Sequence, residues 1–220
     1  MKNYYKITPE GTKDLLFEEC TARNKVTHMI TSVFESKGYH QVITPGLEFF
    51  DAFTLKSGGI QQEDMYKLTD NKGRLLVLRP DSTLPIARMA AIRLQKEARP
   101  IRLYYNQPVY RNRPALTGHS NEINQAGIEL LGTAGLRADL EVIVTAIEAL
   151  QKIVPDFRIE IGHAGFFKAL ADQLPVDEAL REEIRLSIES KNYSSLNTIL
   201  DSLKQTDAVK AVRRLPRLFG

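Results

Sequence analysis

The sequence has a single cysteine, Cys20, which excludes an intrachain disulfide. It also lacks any apolar run approaching the ~20 residues that a helix needs to span a bilayer. The first residues, Met1 to Lys6, contain no apolar stretch of the kind found in secretory signals. These absences predict a cytoplasmic protein in a reducing compartment, without a targeting segment.

Signals for metals, nucleotides and nucleic acids are also missing. The histidines have no metal-ligand spacing with Cys20 or with one another; they are His28, His40, His119 and His163. No Walker or dinucleotide-binding fingerprint occurs. Lys and Arg number 30 against 27 for Asp and Glu, so the formal charge of +3 does not argue for nucleic acid. We predict no metal, no cofactor, and no membrane or nucleic-acid partner.

Short β-prone runs alternate with segments of helical periodicity. Helices are predicted near residues 26–34, 82–94 and 136–153, and strands near residues 41–45, 47–50, 65–69, 74–79, 101–105, 109–111, 122–131 and 157–161. The turn residues Asp70-Asn71-Lys72-Gly73 make the third and fourth strands a hairpin. Residues 112–121 read as a loop between two antiparallel strands. Hairpins with intervening helices predict an α+β fold, a mostly antiparallel sheet flanked by helices.

From Phe166 onward the pattern is helical, with breaks near Pro175 and Asn192. We therefore predict a core over residues 1–163 and a helical C-terminal piece over residues 164–220. No closing strand follows the last helical segment, so the sheet is expected to be incomplete and the chain truncated.

Two segments place polar side chains where a ligand can bind. Arg79-Pro80-Asp81-Ser82-Thr83 lies between a predicted strand and a helix start, where free N–H groups meet a carboxylate and hydroxyls. Asp81 and Thr83 can hold an ammonium or an imidazole N–H. The alternative is that Asp81 or Ser82 only caps the helix.

The second segment is the predicted strand around Gly127. Gln125, Gly127 and Glu129 share one face, so a small polar ligand can lie over the glycine. The competing interpretation is an ordinary solvated sheet face. Arg111, at the end of an earlier strand, can bind a phosphate or a carboxylate, although arginines at strand ends are common on protein surfaces.

The order of these segments resembles the class II aminoacyl-tRNA synthetases, and most closely the histidyl branch, over nearly the whole chain. The matching segments are Pro9-Glu10-Gly11-Thr12-Lys13-Asp14-Leu15, motif 1 from Gly38-Tyr39 to Thr44-Pro45, Met65-Tyr66-Lys67-Leu68 with Leu78-Arg79-Pro80, motif 2 at Tyr110-Arg111, and Gln125-Ala126-Gly127-Ile128-Glu129-Leu130-Leu131-Gly132. Motif 1 implies a homodimer. The resemblance implies that Asp81, Thr83, Arg111, Gln125 and Glu129 bind histidine.

Departures from the synthetase pattern fall on ATP-binding positions. Synthetases carry an acid two residues after the motif 2 arginine, where this chain has Arg113, and they carry arginines where it has His119 and Asn121. The run Arg79-Pro80-Asp81-Ser82-Thr83-Leu84-Pro85-Ile86-Ala87-Arg88 resembles the R-P-D-x-T-x-P-I-A-R wording of ATP phosphoribosyltransferase regulatory subunits.

That resemblance implies a non-catalytic subunit in the first step of histidine biosynthesis. It implies a short-form catalytic subunit as partner, in a hetero-oligomer that histidine inhibits by feedback. Histidine can bind in the synthetase-like pocket or at a subunit interface. Two alternatives remain: a histidyl-tRNA synthetase with a variant motif 2, for which Glu122 is the nearest acid, or a paralogue with another partner.

Overall fold

The computed structural model describes residues 3–54, 60–113 and 118–217. The chain divides into two compact units, and the boundary lies between Phe157 and Arg158. The sequence places the boundary at residue 163, so the two assignments differ only in which unit receives residues 158–163. Residues 114–117 of the predicted loop 112–121 lie outside the described residues.

The first unit alternates helices with short strands. Its helices are α1 (Phe17–Ser36), α2 (Asp51–Thr54), α3 (Thr83–Arg93) and α4 (Leu136–Gln151). Its strands are β1 (His40–Gln41), β2 (Leu47–Phe49), β3 (Lys67–Thr69), β4 (Leu75–Leu78), β5 (Ile101–Tyr110) and β6 (Glu122–Leu131). Gly38 has a φ of 79° just after α1, as expected of a glycine that ends a helix.

The strands form two three-stranded sheets, ordered β1-β5-β6 and β2-β4-β3. Two of these pairings matter most. Strand β5 runs antiparallel to β6 from Tyr110↔Glu122 to Ile101↔Leu131, and β3 and β4 form the predicted hairpin. Only the two-residue β1 pairs in parallel, with β5. The α+β prediction with a mostly antiparallel sheet is confirmed.

The predicted break between residues 105 and 109 is wrong, because β5 continues through Pro108. Proline cannot donate a ladder hydrogen bond, so it is tolerated only where its nitrogen faces away from a partner strand. Here the carbonyl of Pro108 accepts from the Arg79 side chain, on the edge of β5 opposite β6. The missing N–H therefore interrupts no pairing with β6.

Helices cover both faces of the β5–β6 pair. On one face α1 and α4 pack in a cluster that contains Val33, Phe34, Tyr39, Tyr104 and Ala149. On the other face α3 packs through Ile86 against Leu103 and Tyr105. Alternation along a strand sends neighbouring side chains to opposite faces, so the odd-numbered residues of β5 and β6 point toward α3.

The second unit is helical. It contains α5 (Ala164–Ala171), α6 (Glu178–Glu189), α7 (Tyr193–Asp201) and α8 (Asp207–Arg214), around a core of Leu174, Ile184, Leu196, Leu200, Val209 and Val212. The strand predicted at residues 157–161 is wrong, because these residues form no strand. Alternating apolar residues supply only the local preference, whereas a strand also requires a neighbour for its backbone groups.

A buried arginine connects the two sheets. Arg79 follows β4 and is 2% exposed. Its guanidinium donates to the carbonyls of Thr44, at 2.7 Å, and Pro45, at 2.9 Å, and to the carbonyl of Pro108 in β5. In the backbone, Tyr110 N–H donates to the Arg79 carbonyl at 2.9 Å. One side chain thus holds the start of β2 and the edge of β5 together.

Replacing this guanidinium should lower the stability of the protein even when the positive charge is kept. In Arg79→Lys a single ammonium cannot reach all three carbonyls, so we expect the free energy of unfolding to fall by about 2–4 kcal/mol. Urea unfolding followed by circular dichroism measures this loss. Arg74→Lys is the control, since the Arg74 guanidinium is exposed and pairs with Asp70, and it should cost less than about 1 kcal/mol. Equal losses in both variants would contradict this role for Arg79.

Candidate functional site

The junction between β4 and α3 carries the first predicted cluster. The carboxylate of Asp81 accepts from the backbone N–H of Thr83 at 3.0 Å and from the Gln125 side-chain amide at 3.1 Å. The Gln125 amide oxygen accepts in turn from the N–H of Ser82 at 3.2 Å. Ser82 occupies the cap position of α3, but its buried hydroxyl contacts the Gln107 amide at 3.1 Å instead. Asp81 therefore accepts from the first N–H of α3 and also bonds β6, whereas the Ser82 side chain does not cap the helix. Ligand binding by Asp81 and Thr83 stays a prediction.

The second cluster lies on β6, and the predicted alternation is confirmed. Gln125 and Glu129 both point toward the α3 side, on either side of Gly127 along the strand. The Thr83 hydroxyl donates to the Glu129 carboxylate at 2.8 Å. Asp81, Thr83, Gln125 and Glu129 therefore form one connected hydrogen-bond network between the start of α3 and the sheet.

The position over Gly127 is occupied by a side chain that the sequence did not single out. Tyr105 is the register partner of Gly127 across the ladder. A Cβ added to Gly127 would lie 2.5 Å from the Tyr105 hydroxyl oxygen. The predicted space for a ligand over the glycine thus holds a phenol, and the missing side chain at residue 127 is what allows the ring to lie there.

The site holds the carboxyl groups of Asp81 and Glu129 close to the phenol of Tyr105. Burial raises the pKa of Glu129, and the nearby Asp81 adds to this, whereas the hydrogen bond from Thr83 opposes it. Burial also raises the pKa of Tyr105 to about 12, with further contributions from Glu129 and Asp81. Two carboxylates beside a neutral phenol favour a ligand that brings hydrogen-bond donors or positive charge, such as an ammonium or an imidazole N–H.

Arg111 reaches the same junction from the end of β5. Its Nε lies 3.4 Å from the carbonyl of Pro80, the residue before Asp81. Its backbone N–H donates to the carbonyl of Asn121 at 2.8 Å. Arg111 is therefore adjacent to the four-residue network, where its guanidinium is the positively charged group at an otherwise acidic edge.

The three positions that depart from the synthetase pattern have different surroundings. His119 is exposed, and Arg113 is half-buried. Asn121 is 6% exposed, and its side-chain amide donates to the carbonyl of Glu10 and the hydroxyl of Tyr66. Asn121 therefore serves the packing of the loop and presents no charge to a ligand.

Sequence reasoning missed two supporting residues, Tyr105 and Gln107. Gln107 is buried, and its amide bonds Thr44 at 3.1 Å and Ser82 at 3.1 Å. Both residues share the odd-numbered face of β5, and that alternation was the one available signal. Which residue of β6 each one opposes is set by strand register, which the sequence of β5 does not contain.

Within the described ranges, no group of three or more histidine, cysteine, aspartate or glutamate residues is placed to hold a metal ion. In the same ranges no helix combines the length and apolarity needed to cross a membrane.

Residues 11–220 match the family model described as histidyl-tRNA synthetase. The chain is 43% identical to the ATP phosphoribosyltransferase regulatory subunit of Clostridium acetobutylicum, covering 100% of this chain and 55% of that protein. It is 40% identical to the protein of the same name from Clostridium kluyveri, covering 100% and 57%. The chain thus spans about half the length of the curated relatives that it matches.

Solved structures give a consistent likeness. A Bacillus halodurans C structure, described as an ATP phosphoribosyltransferase regulatory subunit/histidyl-tRNA synthetase, has a TM-score of 0.86 at 32% identity, covering 98% of this chain and 56% of that chain. Apo histidyl-tRNA synthetase of S. aureus has a TM-score of 0.56 at 26% identity, covering 66% and 39%. The fold is therefore that of the histidyl branch of class II synthetases.

The raised pKa of Glu129 predicts how stability changes with pH. The folded state binds a proton here more tightly than the unfolded state, so this stabilisation is present below the ordinary pKa of 4.5 and lost as pH rises through the folded value. Glu129→Gln removes the titration, so as pH rises above about 4.5 the wild type should lose stability relative to the variant. Thermal unfolding across this range measures the difference. Glu122→Gln, at the exposed start of β6, is the control, and an identical pH dependence in wild type and Glu129→Gln would exclude the effect.

Proposed function

The chain belongs to the histidyl-tRNA synthetase family, and we propose that within it the chain acts as a regulatory subunit of ATP phosphoribosyltransferase rather than as an enzyme. The observation that carries this proposal is the similarity over 100% of the chain to proteins named as that regulatory subunit. The run from Arg79 to Arg88, which includes the Asp81-Ser82-Thr83 junction, resembles the sequence pattern of that group. In this role the chain enables and regulates the first step of histidine biosynthesis, a cytoplasmic reaction.

In this proposal the acidic network is the histidine site. Asp81, Thr83, Gln125 and Glu129 supply acceptors for the ligand's ammonium and imidazole N–H groups, and Arg111 faces its carboxylate. The network is internally hydrogen-bonded, with Thr83 on Glu129 and Gln125 on Asp81. A ligand must replace these bonds with its own, so net affinity comes from the charge-assisted bonds to the ammonium and the carboxylate.

The ATP positions support a non-catalytic role. A triphosphate is bound through cations, yet Asn121 is neutral and buried at one of the two positions where synthetases carry arginine. Arg113 replaces the acid that helps hold ATP in synthetases. Histidine can therefore be recognised here without being activated as an adenylate.

Partners follow from the same proposal. The subunit assembles with a short-form catalytic subunit and transmits inhibition by histidine as an allosteric effector. It forms a homodimer through motif 1, residues 38–45, which contains β1. Phe17 at the start of α1 is 85% exposed and Ile43 after β1 is 75% exposed, which provides apolar surface for a second copy.

The second candidate is a histidyl-tRNA synthetase, which the matching family model favours. It requires another acid for ATP near the loop. Glu122 is exposed at the start of β6 and lies next to Asn121, so it is the residue to test for this activity.

Titration calorimetry of the full-length protein separates these functions. We expect histidine to bind and ATP not to bind, and we expect the short-form catalytic subunit to form a complex. In Glu129→Ala, loss of a charge-assisted bond of about 1.5–3 kcal/mol should weaken histidine binding roughly 10- to 100-fold. Glu122→Ala, on the opposite face of β6, should bind histidine as the wild type does.

Three outcomes would indicate another function, another histidine site or another partner. Histidine-dependent pyrophosphate release from ATP would establish a synthetase. Histidine binding that appears only with the catalytic subunit and survives Glu129→Ala would move the site to a subunit interface. Failure of the catalytic subunit to bind would leave a paralogue with another partner.

A further inference from the structure

Asn121 is the point where three separate segments meet. Its backbone N–H donates to the carbonyl of Gly11 at 2.7 Å, and its side-chain amide donates to the carbonyl of Glu10 at 3.1 Å. The same amide donates to the hydroxyl of Tyr66, just before β3, at 2.9 Å. Asn121 itself is 6% exposed, so its polar groups are paired within the protein and do not face solvent.

The contact with the N-terminal segment is tight enough to require glycine. Gly11 has a φ of 72°, and a Cβ added there would lie 2.6 Å from Cγ of Asn121. No other residue type fits this position without moving the asparagine. The segment and the side chain are therefore interlocked, and neither can shift alone.

Asn121 also holds the backbone of Arg111 and Arg113. Its carbonyl accepts from the N–H of Arg111 at 2.8 Å, and its side-chain oxygen accepts from the N–H of Arg113 at 3.3 Å. Next to them, the N–H of Asn112 donates to the carbonyl of Asp64 at 2.8 Å. The three residues after β5 are thus anchored to the rest of the unit rather than free to follow a ligand.

We propose that Asn121 is a positioning residue of the ligand site, which presets Arg111 for the ligand's carboxylate by tying its backbone to the Glu10–Gly11 segment and to Tyr66. This inference rests on the proposed histidine site. An arginine that is ordered before binding loses less conformational entropy on binding, so its bond to a carboxylate contributes more affinity. The neutral amide at residue 121 thereby supports recognition of an amino acid.

The test compares histidine with histidinol, which has the imidazole and the ammonium but lacks the carboxylate. In the full-length wild type, histidine should bind more tightly than histidinol, and Arg111→Ala should abolish most of that preference. Tyr66→Phe removes only the hydroxyl that accepts from Asn121, and it should reduce the preference about threefold. Asn121→Asp removes the bond donated to the Glu10 carbonyl and places a carboxylate against that oxygen, although the Tyr66 hydroxyl can still donate to the new carboxylate; it should reduce the preference about tenfold or more.

A matched control has the same chemical change on the other face of the sheet. Tyr104→Phe deletes a hydroxyl that donates to Glu35, on the α1 side of β5, and should leave the preference unchanged. A residue that only supports folding would lower affinity for both ligands by the same factor. The inference would be wrong if Tyr66→Phe weakened the binding of both ligands equally. It would also be wrong if Tyr66→Phe and Asn121→Asp left the preference unchanged while Arg111→Ala abolished it. Either result would leave the histidine site standing. Absence of histidine binding in the wild type would overturn both.

Discussion

The buried guanidinium of Arg79 is the interaction on which the first unit depends. It is surrounded by the carbonyls of Thr44 and Pro45, in the segment before β2, and of Pro108 in β5. Burial lowers the pKa of Arg79, and the bonded carbonyl oxygens offset that cost by stabilising the positive charge. Because a planar group with five donors suits this cage, the strand β4 ends at a fixed place against β5.

The candidate site is a consequence of that fixed end. Only Pro80 separates Arg79 from Asp81, Ser82 and Thr83, so the arginine constrains their position over the sheet. Buried Gln107 provides a second constraint, because its amide bonds the Ser82 hydroxyl. Rigid support of this kind is what allows Asp81 and Thr83 to meet residues of β6 that lie more than forty positions further along the chain.

The site combines features that suit a binding protein. Its two carboxyl groups and the neutral Tyr105 phenol suit a ligand rich in hydrogen-bond donors, while Arg111 lies at one edge for an acidic group. Asn121 occupies a loop position that would have to face a triphosphate, but it is buried and hydrogen-bonded within the protein. In a regulatory subunit, a ligand-dependent change at such a site is useful only if it alters the affinity for a partner, which is a coupling between two sites.

Local patterns in the sequence determined a large part of this structure. The turn residues at 70–73 predicted the β3–β4 hairpin. The alternation of side chains along a strand predicted that Gln125 and Glu129 share one face of β6. The sequence motifs identified the family. The tertiary structure alone decided that Tyr105 fills the space over Gly127, that Asn121 is buried, that β5 passes through Pro108, and that residues 157–161 form no strand. Alternation and turn chemistry depend on adjacent residues, whereas strand register, burial and pairing depend on residues far apart in the chain, which only folding brings together.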